Sequence, residues 1–290
     1  MSGADAASID VMPLGIATRI IADDTLLLDA AIANFAAQFE EVRATNPEIT
    51  IRLRWNDYAA DEVGFSVAVE GSSLRLRGAG TSGWADARRH TAECEVARGS
   101  LEVGEVAETL LLFLLTRCGR PPIHAAAVMI GDTAVLLAGP SGSGKSSLAL
   151  AAQRQGLEVL SEDTTYVQAN PLRAWGWPGP IHLLAPDAPS GAYSERLRGG
   201  RSKLAIPVHR PRLSADKIAL VAIERGERLG LERASCDWLV ERLAPVEPGF
   251  DLLREPIKKA LGQIAADGGW RMTLDDSPDR AIAMLRERFA

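Results

Sequence analysis

The chain has 290 residues, of which 47% are hydrophobic and 24% charged, and it carries a formal net charge of −6. That length allows one large domain or two of ordinary size, and the acidic balance gives no electrostatic case for nucleic acid, whose binders present a strongly basic face. The most apolar run, Leu110 to Leu115, falls far short of the roughly 20 residues that span a bilayer, so no membrane association is expected.

The first ten residues hold Asp5 and Asp10 where an export signal would hold base, and none is predicted. Residues 29 to 44 place Ile32, Phe35, Phe39 and Val42 at helical spacing behind a capping Asp29. The period then shifts to two: Ile49, Ile51, Leu53 and Trp55, then Phe65, Val67 and Val69, then Leu74 and Leu76, predict short antiparallel strands with one wet face. A charged segment with Arg88, Arg89 and His90 carries no committed chemistry, and His90 reads as a surface residue. Residues 105 to 117 predict a helix with an acidic start and a basic finish, stopped by Gly119. The Gly119-Arg-Pro-Pro122 break marks a boundary between an N-terminal α+β domain, 1–119, and a second domain, 120–290. Cys94, Cys118 and Cys236 lie far apart with no metal-ligand spacing, which predicts reduced thiols and a cytoplasmic protein.

The second domain is organised around one stretch. Ala134 to Ala138 predicts a strand, Gly139-Pro140-Ser141-Gly142-Ser143-Gly144-Lys145-Ser146-Ser147 satisfies G-x-x-x-x-G-K-[ST], and an alanine- and leucine-rich helix follows. Small residues in such a turn let successive backbone N–H groups point at phosphate oxygens, and the helix N-terminus adds its dipole. Residues Gly139 to Ser147 are thus the candidate nucleotide-binding loop, with Lys145 facing the β- and γ-phosphates and Ser146 holding Mg²⁺. His124 falls on the strand before the loop's own strand. The next strand ends in Glu162-Asp163, at the edge that faces the ligand crevice in an open parallel sheet.

These residues resemble the HPr kinase/phosphorylase family and its related serine kinases. The family combines a histidine before the loop, a loop of the form G-x-S-G-x-G-K-S and an acidic pair ending the following strand, here His124, Gly139 to Ser146 and Glu162-Asp163. Further on, Ser194-Glu-Arg196-Leu197 and Lys203-Leu-Ala-Ile-Pro-Val-His-Arg210-Pro-Arg212 look like the family's D-R-L and K-L-x-I-P-V-R-P-G-R segments. The resemblance implies an ATP- and Mg²⁺-dependent kinase that phosphorylates a serine hydroxyl. Asp163 is then its general base, Lys145 stabilises the transferred phosphoryl group and His124 orients or protonates. Arg196 is the active-site arginine, Ser146 and Glu162 are metal ligands, and Arg210 and Arg212 meet the phosphoacceptor. Where the family has a metal-binding glutamate, Leu172-Arg173-Ala-Trp175-Gly176 offers arginine, and Asp187 and Glu162 are the alternative carboxylates. Trp175 and Trp177 suit either stacking on a ligand or packing.

The resulting expectation is an α/β protein: an HPr-kinase-like P-loop domain behind a smaller N-terminal α+β domain. Its acceptor is a peptide or small protein, with a ribosomally made precursor such as a lasso-peptide precursor favoured over HPr. A small-molecule kinase on the same core and a nucleotide-binding regulator with little catalysis are the alternatives. The family forms oligomers, although no interface is visible in this sequence.

Overall fold

The computed structural model describes residues 6–33, 35, 45–57, 64–78, 80–177, 179–183, 193–196, 202–208, 212–244 and 251–290. The chain divides into two compact units, Met1–Cys118 and Gly119–Ala290. Among the described residues no helix is long and apolar enough to cross a membrane.

The first unit contains β1 (Ala7–Val11), β2 (Thr18–Ala22), α1 (Thr25–Ile32), β3 (Ile49–Asn56), β4 (Phe65–Glu70), β5 (Ser73–Gly78), β6 (Thr81–Asp86), β7 (Thr91–Ala97) and α2 (Val103–Arg117). One seven-stranded sheet runs β1-β2-β3-β7-β6-β5-β4. Its inward residues, Ile20, Ile51, Leu53, Leu76 and Val96 among them, are buried, as are Leu27 of α1 and Leu110, Leu111 and Leu114 of α2. The helix expected over 29–44 starts earlier, at Thr25, because the Asp24 carboxylate accepts the Leu27 N–H at 2.8 Å and is tied to β3 by the Trp55 indole N–H at 2.9 Å. Asp29 lies inside that helix, and Phe39 and Val42 lie outside the described residues. The strands are not all antiparallel: β2 pairs with β3, and β3 with β7, in parallel. A helix between β2 and β3 returns the chain to the end where it began, which a hairpin cannot do. His90 sits in the β6–β7 turn at φ +54°, in the left-handed region. Burial, then the neighbouring Glu95, push the Cys94 thiol up to about 12, so it is an inert core group.

The second unit continues with β8 (Pro122–Ile123), β9 (Ala125–Ile130), β10 (Thr133–Ala138), α3 (Lys145–Arg154), β11 (Val159–Ser161), β12 (Thr165–Ala169), β13 (Leu172–Gly176), β14 (Ile181–Leu183), β15 (Tyr193–Arg196) and β16 (Ser202–Ile206). Then come β17 (Ser214–Ala215), β18 (Lys217–Arg225), β19 (Gly230–Ala234), α4 (Cys236–Leu243), α5 (Arg254–Ile264), β20 (Gly269–Leu274) and α6 (Pro278–Phe289). The main sheet runs β11-β9-β10-β18-β20-β19, with smaller sheets β17-β13-β12-β8 and β14-β16-β15. Strands β10, β18 and β20 are parallel; β10 and the middle of β18 are buried on both faces, as their continuous apolar runs require, while β20 keeps Arg271 exposed. Helices α3 and α6 pack on one face around Leu148, Ile282 and Leu285. Helices α4 and α5 pack on the other, around Leu239, Ile257 and Leu261. Ser235 caps α4 through the Trp238 N–H. Helix α5 begins at Arg254 after a short 3-10 turn, with Leu253 at its N-cap position.

Candidate active site

Strand direction assembles the site. β9 is antiparallel to β10, with Ala138 opposite Ala125, so the beginning of β9 lies where β10 ends and the glycine loop starts. β11 is antiparallel to β9 and therefore runs with β10, bringing Glu162 and Asp163 to the same end. His124 is not within a strand: it is the bend at which the chain leaves β8 in one sheet and enters β9 in another. The segment from Ser161 to Thr165 makes the same change of sheet alongside, since Ser161 pairs with Ala127 and Thr165 with Ile123. The Thr165 hydroxyl donates to the Ala125 carbonyl at 2.9 Å and shares a short hydrogen bond with Ser161, which pins the seam. At that seam His124 Nε2 meets Asp163 Oδ1 at 3.0 Å. A carboxylate only accepts, so Nε2 carries the proton.

The loop itself is shaped by glycines. Gly142 and Gly144 have φ of +82° and +106°, conformations that residues with a Cβ rarely adopt. A Cβ on Gly144 would also lie 2.6 Å from Leu274 Cδ2. Lys145 is buried, and its Nζ donates to the carbonyls of Gly139 at 2.8 Å and Pro140 at 3.2 Å, so the ammonium is held over the cradle that phosphates would fill. The Ser143 hydroxyl is buried without a hydrogen-bond partner among the described residues. An orphan of that kind beside a ring of loop N–H groups fits a polar, anionic guest. Pro140 and Ser141 are exposed at the loop's lip, and Ser147 is in the first turn of α3.

Ser146 Oγ donates to Glu162 Oε1 at 2.6 Å. Among the described residues no three His, Cys, Asp or Glu side chains form a metal cage. Mg²⁺ beside a nucleotide requires none, since it takes one or two protein oxygens and completes its shell with phosphate oxygens and water. The converged Ser146 and Glu162 oxygens fit that role. His182 on β14 places Nδ1 3.7 Å from Glu162 Oε2 and was not singled out by any sequence motif. Burial would raise the Asp163 pKa, but the hydrogen bond from His124 and the charges of His124, Lys145 and Lys203 outweigh it and hold the carboxyl below its ordinary value. Lys203, on β16, is thus a second residue that contributes to the site without having been assigned a role.

Of the other expected residues, Arg212 and Arg173 lie elsewhere. Arg212 is corrected: it does not reach the loop but lies at the opposite end of β10, accompanied by Asp132 at 3.5 Å and Glu158 at 3.6 Å. From Asp132 to Gly139 is seven residues, about 23 Å of extended chain. Arg173 pairs with Asp216 at 2.5 Å on that same far end, so it does not stand where a metal ligand would be needed. Arg196 ends β15 opposite Ser202 on β16, while Arg210 and Asp187 lie outside the described residues. Trp175 donates to Gln168 Oε1 at 3.2 Å and Trp177 packs edge-on to Tyr166, so both are engaged within the protein. Glu224, near the end of β18, is held low chiefly by its hydrogen bond with Arg242 and by Arg271, a structural ion-pair cluster on the α4 side.

No family model and no curated protein matches the sequence. A solved structure of the Hpr(Ser) kinase/phosphatase from Coxiella burnetii is similar over 58% of this chain and 97% of that chain, at 13% identity and a TM-score of 0.28. A likeness of that size carries no functional inference.

Proposed function

We propose that the second unit is an ATP-dependent phosphotransferase acting on a serine hydroxyl of a peptide or small protein. The observation that carries this reading is the convergence of five side chains at the carboxyl end of β10: Lys145 and Ser146 of the loop, Glu162, and the hydrogen-bonded pair His124–Asp163. Phosphoryl transfer needs positioning and charge neutralisation more than covalent help, and this set supplies both. Asp163 is ionised near neutral pH. His124 occupies Oδ1 and leaves Oδ2 to accept the proton of the acceptor hydroxyl. As the acceptor oxygen bonds to the γ-phosphorus, the bond from that phosphorus to the β-bridging oxygen breaks and ADP departs. Lys145 and the loop N–H groups balance the charge that moves onto the phosphates. Ser146 and Glu162 would hold Mg²⁺, which when bound would add to the neutralisation of phosphate charge.

The serine and peptide specificity rests on the resemblance of the loop, the acidic pair and the Lys203–Arg212 segment to HPr-kinase relatives. Intact-mass analysis of a lasso-type precursor peptide and of an HPr-like protein, after incubation with this protein, ATP and Mg²⁺, tests it. A phosphate-sized gain on one acceptor that disappears with Asp163→Asn is the expected result. Nucleotide binding with no transfer and no hydrolysis would instead favour the regulator, and phosphorylation of a small metabolite would favour a small-molecule kinase.

A further inference from the structure

Asp163 and His124 lie on the β9–β11 flank of the loop, which under the proposed function is the flank that receives the γ-phosphate. A nucleotide threaded through the loop with its last phosphate there carries its nucleoside out on the other flank, over the carboxyl ends of β18 and β20. The residue set against the loop on that side is Arg225, the last of β18. A Cβ built on Gly144 would lie 3.2 Å from its Nη2, which places this guanidinium at the mouth of the loop. Arg225 is tethered edge-on: Nη1 donates to the Asp275 carbonyl at 3.2 Å and lies 3.7 Å from Asp276 Oδ1. Its Nε and Nη2 make no hydrogen bond among the described residues, and the side chain is 47% exposed.

We propose that Arg225 forms the nucleoside end of the site, its planar guanidinium stacking on a purine base. Three features favour a base over a phosphate. The phosphate-directed cations, Lys145 and Lys203, act on the Asp163 side. Asp276 already offsets the Arg225 charge, and one edge of the fork is occupied by a backbone carbonyl, which leaves the flat face for a ligand. Guanidinium planes stack well on aromatic faces, whereas an ammonium has no such face. This assignment rests on the nucleotide-binding reading of the loop but goes beyond it, since no loop motif names a residue 80 positions away.

The test compares ATP with inorganic tripolyphosphate, which has the phosphates without the nucleoside, by calorimetric titration of wild type, Arg225→Ala, Arg225→Lys and Lys145→Ala. Loss of stacking is expected to weaken ATP about 10-fold in Arg225→Ala and nearly as much in Arg225→Lys, with tripolyphosphate affinity within twofold of wild type. The preference of wild type for ATP over CTP should narrow in both variants. If Arg225→Ala melts early, Arg225→Lys decides. Equal losses for ATP and tripolyphosphate would show that the guanidinium serves phosphates, and unchanged ATP affinity would place the base elsewhere; either overturns the assignment. Lys145→Ala should weaken both ligands. A wild type that binds neither removes the nucleotide reading itself, a failure distinct from one confined to Arg225.

Discussion

The two ends of β10 use the same residue types for opposite purposes. At the far end, Arg212 and Arg173 meet Asp132, Glu158 and Asp216 in partly exposed ion pairs that join neighbouring segments around an open cavity of about 330 Å³. At the loop end, Lys145 rests on backbone carbonyls, while Glu162 and Asp163 are each held by one hydrogen-bond donor. At the far end the charges pair chiefly with one another, although Glu158 Oε2 makes no hydrogen bond among the described residues; at the loop end they rest on backbone carbonyls and single donors. An arginine's identity therefore says little about function until its place along the strand is known.

Substitutions should separate the two ends. Asp163→Asn is expected to have the largest effect, a drop in transfer on the order of 10²- to 10⁴-fold with nucleotide affinity retained, read by single-turnover kinetics and titration. Lys145→Ala follows, with roughly 10²- to 10³-fold less turnover and weakened nucleotide binding as well. His124→Ala leaves the base in place but unoriented. Its expected cost is up to about 10²-fold in transfer with little change in nucleotide affinity, and equal turnover of wild type and variant would remove His124 from the site.

A pH effect should come next. The folded pKa of Asp163 is depressed, so its interactions stabilise the fold above the unfolded carboxyl value of about 4 and are lost as pH falls through the folded value. Urea midpoints for wild type and Asp163→Asn should therefore converge as the solution is acidified from pH 7 to pH 3; a gap that widens would reverse the sign. Arg212→Ala should have the smallest effect, less than about 1 kcal/mol of stability and turnover within twofold of wild type. Impaired transfer in that variant would break the contrast between the ends.

Much of the site was legible because its determinants are local. Gly142, Gly144, Lys145 and Ser146 act within one turn, where φ angles and spacing follow from residue type, and Glu162-Asp163 ends a strand whose apolar run is plain in the sequence. His182 was not legible, since nothing in Ile181-His-Leu183 indicates that β14 will bring it beside Glu162. Lys203 belongs to a recognisable segment, but nothing local in that segment indicates that its charge acts on Asp163. The early start of α1 was missed for a similar reason: Asp24 and Asp29 are both competent caps, and the tie from Trp55, 31 residues away, selects the first.

By itself, then, the sequence determined most of the elements, the glycine-shaped loop and the chemical types at its mouth, because these depend on backbone conformation and side chains within a few residues. The tertiary structure decided direction and adjacency. The antiparallel β9 turns the start of a strand toward the loop, the paired change of sheets brings His124 to Asp163, the end of β18 sets Arg225 against Gly144, and the length of β10 carries Arg212 away. Those outcomes follow from strand order and register, which are fixed by contacts between residues far apart in the chain and leave no local mark in it.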